Sequence, residues 1–506
     1  MLSEVTGFVL SGLDGYPVCV ETDTNNGIPD FDIVGLPDAA VKESKERVRS
    51  AIKNSGRRFP MNKITVNLAP ADLKKEGAGL DLPIAAGLLK SSGQLGGTDP
   101  SVVLIGELSL SGELRPVYGV LPMLISARDK GFRTAVIPKE NEKEGAYLDG
   151  IDVYALSSLD EVCRFLTDKT GFAPIEKLDY AAVGENAEYD GDMKFVKGQY
   201  VARRALEVAV SGGHNMIMVG PPGAGKTMLA KCIPSIMPEM SFEEALETTK
   251  IHSVAGSLKR EDGIVYKRPF LTPHHTASNV ALVGGGPTAK PGIISLAHNG
   301  VLFLDEMPEY SRATLESLRQ PLEDRVITVS RMKANVDYPA GFMLVGSMNP
   351  CPCGNFGSKK ATCTCTASQI RKYRARISGP LLDRMDLQIT VDSVDYDDLA
   401  SQKEEESSAE VRKRVNRTRR IQRERFKNDN ITCNAQMGEK QIKKYCALSP
   451  ECEKILKASF ERLNLSARAR SRIVKVARTI ADMDLSENIL PKHLLEAIGY
   501  RSETIG

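Results

Sequence analysis

The eight residues GPPGAGKT, Gly220 to Thr227, constrain this chain more than any other stretch. They follow the apolar run NMIMV and precede the helical MLAKCI, the strand–loop–helix setting that a phosphate loop needs. In such a loop Gly220, Pro221, Pro222, Gly223, Ala224 and Gly225 turn backbone N–H groups onto a polyphosphate at a helix N-terminus. Lys226 then reaches the β- and γ-phosphates, and the Thr227 hydroxyl ligates Mg²⁺. A plain glycine-rich turn would leave Lys226 unexplained. The expectation is an α/β core with a parallel sheet and ATP and Mg²⁺ as cofactors.

Two later apolar runs end in the same way. VLFLDE brings Asp305 and Glu306 to a strand end, where one carboxylate can hold Mg²⁺ through water and the next can orient an attacking water. GFMLVGSMN ends at Asn349, whose amide can position that water; standing alone it would read as a turn-capping Asn before Pro350. Immediately afterwards come Cys351, Cys353, Cys363 and Cys365, four of the ten cysteines, spaced C-x-C-x₉-C-x-C. Two close thiol pairs across a glycine-containing loop suit a structural Zn²⁺, although C-x₂₋₄-C is the usual spacing, and unmetallated thiols and redox pairing stay open.

At 506 residues the chain exceeds one hydrophobic core, so roughly two to four domains are expected. Its 67 basic against 65 acidic residues leave a net charge of +2, so any nucleic-acid affinity must come from local patches. The N-terminus carries no basic leader with an apolar core, and no run approaches the roughly 20 apolar residues of a membrane span. A cytoplasmic protein without membrane contact is expected. Residues 1–168 read as an α+β domain, with KITVNLAP as an alternating strand and a helix capped by Asp38. Residues 169–195 read as a linker, 196–400 as the ATPase core with a cysteine-rich insertion at 351–365, 401–435 as a basic linker helix, and 436–506 as a small helical domain.

The set GPPGAGKT, PHHTASNVALVGGG, GIISLAHNGVLFLDEMPE, FMLVGSMNPCPCG and SGPLLDRMDL resembles the YifB/ComM group of magnesium-chelatase-like AAA+ ATPases, over nearly the whole chain. The resemblance implies a homo-oligomeric, hexameric ATP-driven motor acting on single-stranded or branched DNA, of the branch-migration or helicase type. Its different-class rival is a chelatase-like or protein-remodelling ATPase with a protein client. By position it makes Asn349 the sensor, Arg384 in PLLDRMD the arginine finger serving a neighbouring subunit, and Arg468 a lid arginine that contacts the γ-phosphate. It also implies a C-terminal helical lid and a hairpin tip directed into a pore, where Arg331 and Lys333 would hold DNA phosphates. The basic helix Arg412 to Lys427 reads as a second DNA footprint or as a solvated face.

KKEGAGLDLPIAAGLL and the GELSLSGELRPVYG region resemble the Lon protease domain, a fold shared with ribosomal protein S5. Gly79 and Met123 fall where Lon carries its Ser–Lys dyad, so an interaction or DNA-docking domain without protease activity is expected. The consecutive His274 and His275 are expected to point apart.

Overall fold

Side-chain alternation organises the first sheet. The computed structural model describes residues 2–501 except 97, 98, 100, 183–188, 260, 287–288, 331–334, 358–360, 395–404 and 464–465. Within it the chain forms two compact units, residues 1–185 with 242–266, and residues 186–241 with 267–506.

The first unit holds strands β1 (Leu2–Ser11), β2 (Asp14–Asn25), β3 (Asp30–Val34), β4 (Lys63–Ala69), β5 (Val102–Leu104), β6 (Thr134–Pro138) and β7 (Asp152–Leu156), in the order β3-β4-β2-β1-β5-β6-β7. The β1–β2 and β2–β4 pairs are antiparallel, whereas β1, β5, β6 and β7 run parallel. In β4 the residues Ile64, Val66 and Leu68 are buried and Lys63 and Thr65 face water, the two-residue period of a half-covered strand. Helix α1 (Ala39–Asn54) begins where the Asp38 carboxylate accepts the Val41 N–H at 2.8 Å, and it buries Val41, Val48 and Ile52. Helix α2 (Asp81–Ser91) packs on β1 and β2, and α3 (Val120–Asp129) lies against β2.

The helix Phe242–Ala255 also packs on α3, with Ser253 Oγ donating to Glu144 Oε2 at 2.6 Å. Residues 242–266 therefore leave the stretch that the sequence assigns to the core at 196–400 and count with the first unit. Gly79 lies in the turn Ala78–Leu80, and Met123 is buried in α3.

The second unit is built on β8 (Met216–Val219), β9 (Phe270–Leu271), β10 (Val301–Leu304), β11 (Met343–Met348) and β12 (Leu387–Thr390), all parallel, in the order β9-β10-β11-β8-β12. Every residue of β10 and β11 is buried, as strands covered on both faces require. This is the multidomain α/β architecture expected. Helices α4 (Tyr200–Gly212), α5 (Lys226–Ile236), α6 (Ser408–Arg425), α7 (Ala467–Met483) and α8 (Pro491–Gly499) share its apolar core. Because α7 packs on α4, α6 and α8, the C-terminal helices are continuous with the core of this unit. Among the described residues no helix is long and apolar enough to cross a membrane.

The basic helix α6 turns much of its charge inward. Arg414 pairs with Glu207 at 2.6 Å and with Glu406, Arg425 pairs with Asp482, and Arg412 Nε donates to the Ser235 carbonyl at 2.8 Å. Lys413, Arg420, Arg423 and Lys427 stay exposed. Nine cations counted along a sequence thus include several that serve as internal struts.

Candidate nucleotide site

Because β8 lies between β11 and β12, with β10 beyond β11, the C-terminal ends of β8, β10 and β11 sit side by side. These ends deliver Gly220, Asp305 and Asn349 to one place, where open parallel sheets carry their ligands. Gly223 (φ +75°) and Gly225 (φ +87°) occupy the left-handed region with open space where a Cβ would stand, so the loop can curl before α5 begins.

Lys226 Nζ donates to the carbonyls of Gly220 at 2.6 Å and Pro221 at 2.9 Å and to Asn349 Oδ1 at 3.2 Å. Burial pushes the Lys226 pKa down, against the pull of Asp305 and Glu306. Thr227 Oγ1 donates to Asp305 Oδ2 at 2.8 Å, while Ser347 Oγ holds the other Asp305 oxygen. Ser347 was not anticipated from the sequence, because its role depends on β11 lying beside β10. Glu306 is exposed and sits at φ +49°, its N–H directed to Asp305 Oδ1 at 3.1 Å and Ser347 Oγ at 3.3 Å. The turn is a strained backbone conformation for a glutamate.

Glu306 and Asn349 line a cleft of about 510 Å³ with Glu309, Lys372, Tyr373 and Arg376. Arg376 binds Glu309 at 2.8 Å, and burial pushes the Tyr373 hydroxyl up to about 12. The donors fit Mg·ATP. A cation faces a loop with open left-handed glycines, and a hydroxyl and a carboxylate already touch where Mg²⁺ needs hard oxygen ligands.

The predicted arginines lie elsewhere in the unit, and Arg384 and Arg468 share a neighbour. Arg384 is 5% exposed; it pairs with Glu323 and donates to the Pro380 carbonyl at 2.6 Å. The Arg384 hydrogen bond holds the Glu323 carboxyl below its usual range, helped by the charges of Arg384, Arg468 and Arg319. Arg468 is exposed on the first turn of α7. Glu323 is thus a meeting point that the sequence did not disclose. Arg470 pairs with Glu453 at 3.0 Å, and Arg472 pairs with Asp386. Arg331 and Lys333 lie outside the described residues, between the antiparallel strands Val326–Ser330 and Asn335–Pro339.

His274 and His275 do not point apart: their rings lie together, tilted by 32° with centroids 4.2 Å apart, and His274 Nδ1 meets Thr276 Oγ1 at 2.8 Å. The four cysteines do converge, with their sulfurs all within 4.8 Å of one another.

Comparison with known proteins agrees with this geometry. Residues 192–399 match the family described as magnesium chelatase, subunit ChlI; residues 20–141 match subunit ChlI of Mg-chelatase, and 405–501 match its C-terminal family. The chain is 43% identical to the competence protein ComM of Haemophilus influenzae over 497 residues, covering 97% of this chain and 96% of that protein. It is 42% identical to the uncharacterized protein YifB of Salmonella typhimurium over 496 residues, covering 97% and 95%. A shorter stretch of 122 residues is 29% identical to Lon protease 2 of Bacillus subtilis, covering 24% of this chain and 22% of that protein. With a phosphate loop after β8, two acidic residues at the end of β10 and full-length relatives of this kind, the chain belongs to the YifB/ComM family of magnesium-chelatase-like AAA+ ATPases.

Proposed function

We propose that this protein is a cytoplasmic ATP-hydrolysing motor that works as a hexameric ring and remodels DNA, with branch migration of recombination intermediates as its task. One observation carries the ATPase half: Lys226, Thr227, Asp305, Glu306 and Asn349 meet at neighbouring strand ends. When bound, Mg·ATP supplies the phosphoryl group whose transfer to water releases the driving free energy. Gly220 to Gly225 and Lys226 bind phosphate oxygens, and Thr227 and Asp305 hold Mg²⁺. Glu306 orients the water and accepts its proton, while Asn349 fixes the position of that water. Cys351, Cys353, Cys363 and Cys365 hold Zn²⁺.

The DNA half rests on the likeness to a competence protein along 97% of the chain and on Arg331 and Lys333 in the hairpin connection. A protein client is the second reading, favoured by the likeness of the first unit to Lon protease 2. ATP turnover measured with single-stranded, duplex and four-way-junction DNA separates the two. Stimulation by junction DNA, with migration of the junction, is the expected result; intact basal turnover that no DNA changes would favour the protein client.

Lys226→Ala is expected to lower turnover by about 10²- to 10³-fold, because a fixed cation facing developing phosphate charge is lost. Junction migration should vanish with it. Migration by a variant that hydrolyses no ATP would defeat the motor reading.

A further inference from the structure

The cysteine loop has a geometry that a loop of ordinary thiols does not need. Cys351 Sγ lies 3.3 Å from Cys353 Sγ and 3.7 Å from Cys363 Sγ, and Cys353 and Cys363 are 3.6 Å apart. A disulfide requires about 2.05 Å. Four sulfurs about 2.3 Å from one tetrahedral Zn²⁺ stand about 3.8 Å from each other, close to the observed spacing. The donor set is all soft thiol, which selects zinc over the hard cation used at the phosphate site. Cys351 is fully buried, and the Phe356 N–H points at its sulfur at 3.3 Å, the kind of backbone donor that supports a metal-bound thiolate.

The loop also touches the nucleotide machinery on three sides. Cys351 is two residues beyond Asn349, which bonds Lys226. Gly354, at φ +81°, rests so closely on the phosphate loop that a Cβ there would stand 2.5 Å from Pro222 Cδ. Thr366, next to Cys365, caps the helix Ala367–Arg374 that carries Tyr373 into the cleft beside Glu306. Arg374 closes the arrangement, its Nε donating to the Pro350 carbonyl at 3.4 Å and its guanidinium lying over the Phe356 ring at 5.4 Å.

We infer that one Zn²⁺ on Cys351, Cys353, Cys363 and Cys365 is a working part of the ATP site. It locks Gly354 against Pro222 and holds Asn349 and Tyr373 in register, so that ATP affinity depends on zinc occupancy. This rests on the nucleotide reading above and adds a metal-dependent wall to it.

The test uses the full chain purified without chelator. Elemental analysis should find about one zinc per chain. A fluorescent ATP analogue with Mg²⁺ present should bind about tenfold more weakly, or worse, after a zinc-selective chelator, and regain its affinity when ZnCl₂ is restored. Circular dichroism confirms that the stripped chain stays folded. Gly354→Ala should keep its zinc yet bind the analogue more weakly, because the added methyl displaces Pro222. Cys351→Ser with Cys363→Ser should lose both. Zinc-free but folded and ATP-binding wild type would overturn the inference, as would an affinity that stripping leaves unchanged. A zinc-loaded wild type that binds no analogue would instead defeat the nucleotide reading itself, and this inference with it.

Discussion

Arg384→Ala is expected to lower ATP turnover by about 10³-fold or more while leaving ATP binding in place, the scale of loss seen when a trans-acting arginine is removed from phosphoryl transfer. The physical argument begins with where the side chain lies. Arg384 is held inside its own subunit by Glu323 and the Pro380 carbonyl. Its Nε is buried without a hydrogen-bond partner among the described residues. A guanidinium left partly unsatisfied beside a carboxylate whose side chain is 54% exposed is poised for a second anion, because Glu323 can return to water at little cost. Because the Arg384 side chain is itself buried, its removal also costs packing, so thermal unfolding of the variant is measured beside turnover to separate lost catalysis from lost folding. Mixing Arg384→Ala with Lys226→Ala chains is the decisive measurement. If the proposed ring forms, mixing places an intact arginine against an intact phosphate loop, and part of the turnover should return. No recovery at any mixing ratio would show that Arg384 acts within its own chain.

Asp386→Asn is expected to destabilise the second unit by about 3–5 kcal/mol in urea or thermal unfolding, the range for removing one partner of a buried ion pair. The Asp386 carboxylate is 2% exposed, accepts the Asn215 N–H at 3.1 Å, pairs with Arg472 and lies 3.4 Å from His214 Nδ1. Burial opposes its ionisation, but Arg472 and then His214 outweigh burial and leave the carboxyl well below the usual carboxylate range. A folded-state pKa below the unfolded value means that the unfolded chain takes up the proton first as pH falls. The stabilisation is complete above the ordinary carboxylate pKa of about 4 and drains away below it. Asp386→Asn should flatten that acid limb as well as lower the whole curve. A variant of wild-type stability would mean that Arg472, Lys475 and Arg501 can repack without their shared counter-charge.

Where local pattern and chemistry coincide, the sequence already speaks for the structure. Met216–Val219, Val301–Leu304 and Met343–Met348 are apolar runs that stop at Gly220, Asp305 and Asn349, and burial on both sheet faces explains the runs and the stops together. Asp38 before α1 is equally local. What escaped depends on chain segments meeting from far away. The two-residue strand β9 has no pattern of its own and exists because β10 offers an edge. The helix Phe242–Ala255 could pack on either unit as far as its composition tells. The charge of α6 looked like a surface until Glu207 and Asp482, distant in the chain, supplied partners. Ser347 and Glu323 belong to the same class, since neither residue type at those positions signals a role without its neighbour.

Glu306 closes the account from a different side. Glutamate at φ +49° carries backbone strain that glycine or asparagine would carry less of, as do Leu36, Gln199, Arg325 and Leu485 elsewhere in the chain. Of these strained positions, Glu306 is the one that lines the cleft beside Asn349. At Glu306 robustness and turnover pull in opposite directions: a glycine there would relax the turn and remove the carboxylate from the cleft in one step.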